Sequence, residues 1–204
     1  MKMERFEQSG FIFESDSGFR LAVDIGSMTP VDKLEGVKAD AMIVSHIHGD
    51  HFSLDQIKKL SPPKLYINNE CMETLGEEKL SSEIIKTETN TKIKIGDMVV
   101  DIFSADHGPN VSLKENFGFL ITIDNQKIYF AGDMFYGSGM DVAELEVDYA
   151  LLPIGTHYTF GPQEAFAFAK TFKKIGKLIS MHDRKTPGLK EQFLKLAEGN
   201  FVAE

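Results

Sequence analysis

The segment Ser45-His46-Ile47-His48-Gly49-Asp50-His51 constrains the fold of this chain more than any other. Four metal-capable side chains stand within six residues, directly after the apolar run Ala39-Asp-Ala-Met-Ile-Val44. A short apolar run of this kind predicts a buried strand. Side chains alternate along an extended backbone, so His46 and His48 are expected on the same side. Gly49 permits a tight turn close to a ligand and carries Asp50 and His51 to the turn's far side. Ser53-Leu-Asp-Gln56 has the pattern of a capping box, which predicts a helix from there to about Leu60, ended by Pro62-Pro63. A strand, a ligand-rich turn and a helix in direct succession place the turn where a rigid scaffold meets a loop. Such a loop can offer two ligands to each of two adjacent ions.

The chain has six histidines, and three of them lie outside this segment. His107 follows the predicted strand 98–104, and His182 follows the predicted strand 177–180. Asp133 follows the predicted strand 127–131, in Ala131-Gly132-Asp133. Alone, each would read as a core histidine or a capping aspartate. Beside the first segment they read as the remaining ligands. His157, in Gly155-Thr156-His157-Tyr158, stands between a predicted buried strand and a helix, and is a candidate proton donor or substrate contact. Asp24, in Val23-Asp24-Ile25-Gly26, is a candidate acceptor for a ligand histidine's ring hydrogen. Tyr136 and Tyr158 are candidate pocket residues, although tyrosines more often pack than react.

The rest of the chain reads as strands and helices in two rough halves. Phe11-Ile-Phe-Glu14 and Phe19-Arg-Leu-Ala-Val23 flank Asp16-Ser-Gly18, a hairpin signal. A strand at 64–67 and a short helix at 69–75 follow the first helix. Strands are predicted at 92–95, 98–104, 117–123 and 127–131, with Asp124-Asn125 as the turn between the last two. After a buried strand at 148–152, Gly161-Pro162 opens a helix whose apolar positions include Ala165, Phe168, Ala169 and Phe172. The lysines of 170–177 read as the solvated side of that helix. A last amphipathic helix covers 189–197. The pattern predicts two packed sheets with helices on their outer faces, in one domain spanning residues 1–204.

Together these residues resemble the metallo-β-lactamase superfamily, whose signature is His-x-His-x-Asp-His followed by a distant His, an Asp and a final His. The resemblance runs from His46 to His182 and takes in Asp24 as the family's early Asp. It implies an α/β (α+β) fold, a four-layer αββα sandwich of two mixed β-sheets flanked by helices, with a dinuclear site at one edge. It assigns His46, His48 and His107 to one ion, Asp50, His51 and His182 to the second, and Asp133 to both. The absence of Cys from this set sets the chain apart from several true β-lactamases. Leu151-Leu-Pro-Ile-Gly155, Thr159-Phe160-Gly161-Pro162 and Ser180-Met181-His182 are similar to a compact branch of metal-dependent hydrolases that resembles L-ascorbate-6-phosphate lactonase. His157 and Asp183 depart from that branch, which often has a polar residue such as Asn at the first position and an aromatic one at the second.

Histidine and carboxylate donors suit zinc, with manganese or iron also compatible. Two such ions would activate a water and polarise a carbonyl or phosphoryl oxygen, so hydrolysis of a small ester, lactone or phosphodiester is expected. Asp50 would both ligate and hold or relay the proton. The same scaffold also supports nucleases and iron-dependent redox proteins. The first usually carry an extra domain or arm, and the second would need a partner domain or thiol-like substrate not seen here. A net charge of -9 argues against a nucleic-acid backbone, which clustered Lys and Arg would bind. A small, anionic substrate is the expectation. The lone Cys71 implies no disulfide, no leader pattern is visible, and no apolar run reaches the ~18 residues of a membrane span, so a cytoplasmic location is expected.

Overall fold

In the computed structural model, which describes residues 1–109, 111–183 and 186–204, strand alternation builds two hydrophobic cores. Strands β1 (Lys2–Arg5), β2 (Phe11–Glu14), β3 (Arg20–Val23), β4 (Ala41–Ile43), β5 (Lys64–Ile67) and β6 (Glu83–Lys86) form the first sheet in that order. Phe11, Phe13, Leu21, Val23, Ala41, Ile43 and Tyr66 join one core. The residues between them, Ile12, Ala22, Met42, Leu65 and Ile67, join the other. This is the period of two expected of strands buried on both faces.

The second sheet contains β7 (Thr91–Ile95), β8 (Met98–Ser104), β9 (Phe117–Ile123), β10 (Gln126–Phe130), β11 (Glu146–Pro153) and β12 (Lys174–Met181), ordered β12-β11-β10-β9-β8-β7. It faces the first sheet across the core built on Phe11, Phe13, Phe117, Phe119 and Phe130. Helices α1 (Leu54–Leu60) and α2 (Asn69–Leu75) and a 3-10 turn (Val31–Leu34) bury Ile57, Leu60, Cys71, Leu75 and Leu34 in the outer core of the first sheet. Helices α3 (Pro162–Ala169) and α4 (Leu189–Ala197) bury Ala165, Ala169, Leu189 and Phe193 against the second. The order is therefore helices, sheet, sheet, helices. No helix among the described residues is long and apolar enough to cross a membrane.

Local chemistry explains most of the boundaries. Asp124 and Asn125 both take positive φ (48° and 62°), the conformation that matches a tight hairpin to strand twist. Asn68 caps α2 by accepting a hydrogen bond from the Cys71 amide at 2.9 Å. The helix predicted at Ser53 is present, but its hydroxyl makes no cap hydrogen bond and pairs with Gln56 Oε1 instead. Gln56 in turn donates to the Thr29 carbonyl at 2.9 Å, tying α1 to the loop beneath it.

Three expectations are corrected. The lysines of 170–177 do not line a helix, because α3 ends at Ala169 and Lys174 and Lys177 belong to β12. Phe172 lies past the helix end, where its ring still packs edge-on against Tyr129 at 5.0 Å. Strands β1 and β6, absent from the sequence-based assignment, are the two edges of the first sheet. Both expose at least half of their residues to some degree, so neither carries the alternating apolar signal of an inner strand.

Strand direction positions the site. β3, β4 and β5 are parallel, as are β10, β11 and β12, and β8 runs with β10 because each is antiparallel to β9. Their carboxyl ends are where the loops bearing Asp24, His46 to His51, His107, Asp133, His157 and His182 emerge. Carboxyl ends of parallel strands are where open α/β sheets place ligands.

Candidate metal centre

The loop after β4 brings His46 Nε2 to 3.0 Å from His48 Nδ1. His107, delivered by the loop after β8, places Nε2 3.4 Å from Asp133 Oδ2. His182, one residue past β12, places Nε2 2.7 Å from Asp133 Oδ1 and 3.2 Å from His51 Nε2. His51 Nε2 is itself 3.2 Å from Asp133 Oδ1. Two groups result, His46, His48, His107 and Asp133 in one and Asp50, His51 and His182 in the other. Within each group the candidate ligand atoms lie within 4.8 Å of one another. All seven sequence candidates for metal binding thus meet at one place, with Asp133 touching members of both groups.

Two glycines permit these approaches. A Cβ on Gly26 would come within 2.1 Å of the Asp50 carbonyl carbon, so only glycine lets the loop after β3 lie against the His46–His51 turn. Gly132, at φ +62°, passes within 2.4 Å (from a built Cβ) of the Phe117 carbonyl, and so sets Asp133 inward.

The charges are arranged around three carboxylates, Asp24, Asp50 and Asp133. Burial opposes ionisation of Asp133, but His182 and His51 outweigh it and hold the carboxyl well below its usual range. Burial likewise disfavours a charged His51, yet Asp133 and Asp24 hold its pKa well above the ordinary imidazole value. His46 is pushed well down by burial and by the neighbouring His51, and His48 is lowered by burial and His107. Asp50 is lowered, with burial opposing and His51 prevailing.

Several of these atoms, although close to oppositely charged groups, make no aligned hydrogen bond among the described residues. Both ring nitrogens of His107 and Oδ1 of Asp133 are buried with no aligned hydrogen bond among the described residues. Nitrogens of paired rings face each other at 3.0 and 3.2 Å, which two neutral acceptors would avoid. Such convergence of buried nitrogen and carboxylate donors fits divalent metal ions well.

Behind the candidate ligands lies a layer of supporting groups. Asp24, fully buried, is 2.7 Å from His51 Nδ1, as proposed from the sequence, and accepts from the Ser45 amide and hydroxyl at 2.7 and 2.6 Å. Ser45 Oγ also lies 2.9 Å from His46 Nδ1. Sequence reasoning missed Ser45, Gln8 and Ser9 as site residues. The only available signal for the last two was the turn-like Ser9-Gly10 ahead of a strand.

A cavity of about 460 Å³ opens onto the cluster, lined by His48, Asp50, His107, Asp133 and His182 and by the loop from Gly155 to Thr159. His157 and Tyr158 are exposed on that loop, and His157 stands outside both ligand groups. Thr156 and His157 take consecutive positive φ (61° and 50°), an unfavourable conformation for a β-branched residue and one that concentrates at functional sites. Tyr136 lines a neighbouring cavity that shares Thr156, His157 and Thr159 with the first.

Two mixed sheets between helices, with a histidine and aspartate cluster at the carboxyl ends of their strands, define a metallo-β-lactamase fold. The chain belongs to the β-lactamase superfamily, whose domain model matches residues 2–175. It is 31% identical to a UPF0173 metal-dependent hydrolase of Thermococcus onnurineus (strain NA1), over an alignment of 204 positions covering 90% of this chain and 87% of the relative. Among solved structures it is similar to Igni18, a metallo hydrolase from Ignicoccus hospitalis, with a TM-score of 0.78 and 23% identity, covering 99% of this chain and 93% of that one. It is also similar to the metallo-β-lactamase fold protein YhfI from Bacillus subtilis, with a TM-score of 0.74 and 21% identity, covering 97% and 88%.

Proposed function

We propose that this protein is a metal-dependent hydrolase that holds two divalent ions, zinc foremost, and cleaves a small ester, lactone or phosphodiester. The observation that carries the reading is the convergence of the two ligand groups on Asp133 beside an open cavity. His46, His48 and His107 would hold one ion and Asp50, His51 and His182 the other, with Asp133 shared. When bound, such ions would acidify a water and polarise the scissile carbonyl or phosphoryl oxygen.

The chain's own residues would do the rest. Asp24 and Ser45 orient the rings of His51 and His46 from behind. The half-buried Asp50 lines the cavity, where its carboxylate can accept the water's proton. His157, which lines the same cavity, would contact the substrate or protonate the leaving group. Val111 and Tyr158 give that cavity apolar surface, while Ser112, Thr156, Thr159 and Thr186 add hydroxyls. A small, partly apolar molecule with an anionic or polarised oxygen suits such walls better than a nucleic-acid strand.

The test joins elemental analysis with a screen of phosphodiesters, lactones and thioesters. Close to two transition-metal ions per chain are expected after zinc or manganese loading, because the candidate ligands are too many for one tetrahedral ion. A firm limit of one ion would sink the dinuclear assignment.

A further inference from the structure

The turn between β1 and β2 carries no residue of the superfamily signature, yet it reaches into the cluster. Gln8 is buried, and its Nε2 lies 3.3 Å from His182 Nδ1 and 3.4 Å from Asp50 Oδ2. Ser9, also buried, has its hydroxyl 3.1 Å from His51 Nδ1. These contacts meet all three members of the second ligand group, Asp50, His51 and His182. We infer that Gln8 and Ser9 are positioning residues for one metal subsite and not for the other, an inference that rests on the dinuclear reading above.

The backbone supports the assignment. Gln8 adopts φ +57°, a left-handed conformation unusual for glutamine, and the turn is closed by hydrogen bonds from Phe6 N to Gly10 O and from Gly10 N to Glu7 O. That conformation turns the side chain inward beneath His182, whose own φ is +56°. The Gln8 carbonyl accepts from the His182 amide at 3.4 Å. At the end of β1, Arg5 pairs with both oxygens of Asp183 at 2.9 and 3.0 Å. The hairpin thus holds the ring, the backbone and the following residue of His182.

The chemistry of an amide suits the position. His182 points Nε2 into the cluster and Nδ1 at Gln8. An imidazole that ligates through Nε2 carries its hydrogen on Nδ1 and needs an acceptor there. The amide presents either its NH2 or its carbonyl oxygen by a half turn about one bond. The buried Oε1, which has no hydrogen-bond partner among the described residues, is the group available for that role once an ion is bound, in exchange for the amide's contact with Asp50. A carboxylate would also accept, but would set a second negative charge beside Asp50.

The test is a cobalt(II) titration of chelator-treated protein, followed by visible absorption and by competition with a chelator of known affinity. Gln8→Asn is the main variant, because Asn tolerates the left-handed backbone while its amide falls one methylene short. Ser9→Ala is the second. Wild type should bind two ions with resolvable affinities. In each variant the affinity for one ion should fall by ~10–100-fold, the usual size of such outer contacts, with its cobalt bands altered and the other ion unchanged. Thermal unfolding of the metal-free proteins checks that the fold is intact. Equal weakening of both ions, or no change in either variant, overturns the inference. A wild type that binds fewer than two ions overturns the dinuclear reading instead.

Discussion

His51 and Asp24, 27 residues apart in the chain, meet through Nδ1 and Oδ2 at 2.7 Å with both side chains fully buried. The contact leaves Nε2 of His51 as the atom that faces Asp133 and His182. It also joins the carboxyl end of β3 to the turn after β4. Asp24→Asn keeps the backbone's positive φ (49°) within reach of the new residue. It removes the charge that holds His51 in register, so affinity for the second ion should drop by roughly 10–100-fold in a chelator competition assay. Undiminished affinity would show that Ser45 and Ser9 suffice to orient the ring.

Asp133 is the candidate ligand whose two carboxylate oxygens lie close to histidines of both groups. Asp133→Ala should lower the bound metal from about two ions to one or none and abolish hydrolysis. The fold should survive, because the residue lies past the end of β10, outside both hydrophobic cores. Circular dichroism and elemental analysis on the same preparation separate the two effects. Full metal occupancy with full activity would remove Asp133 from the bridging role.

His157 lines the cavity that opens onto the cluster and lies outside both ligand groups. His157→Ala should leave metal stoichiometry at the wild-type level and reduce turnover by ~10²–10⁴-fold, the range for a positioned acid or base. Loss of metal would make it a ligand, and unchanged kinetics would make it a bystander.

Gly26 is packed against the turn that carries His46 to His51 with no room for a methyl group, the built Cβ falling 2.1 Å from Asp50 C and 2.4 Å from His51 N. Both contacts are to backbone, which cannot swing aside. Gly26→Ala should therefore cost about 1–3 kcal/mol of stability, as overpacking does, and weaken metal binding in parallel. Thermal denaturation with and without added zinc reads both. A variant of wild-type stability would mean that the two loops separate easily.

Cys71 is buried in α2 beneath the first sheet, and burial, reinforced by the Asp24 carboxylate, pushes its thiol pKa up. The thiolate is the reactive form, so labelling of the folded protein should stay slow as pH rises through ~8.5, where an exposed thiol would accelerate. Denaturation should expose it to one equivalent of reagent. Fast labelling under native conditions would mean that α2 opens without global unfolding.

Local patterns in the chain were enough to reveal the ligand-rich turn and the inner strands. Four ligand-type residues after an apolar run, and apolar runs such as Phe11-Ile12-Phe13 beside a turn signal, are written within a few residues of one another, and local backbone geometry turns them directly into structure. The turn at Asp124-Asn125 is legible for the same reason. Edge strands β1 and β6 were not, since an edge is defined by which neighbour a strand lacks. The lysines of 170–177 misled because their spacing suits a helix face as well as the turn and strand they occupy.

Sequence alone therefore determined the family, the candidate ligands and the elements that carry them. Only the tertiary structure decided how they meet. Gln8 and His182 touch although 174 residues separate them, and nothing local to either marks the other as its partner. That contact exists because β1 and β2 fold along one edge of the first sheet while β12 ends beside their turn, so packing of whole sheets brings the two together.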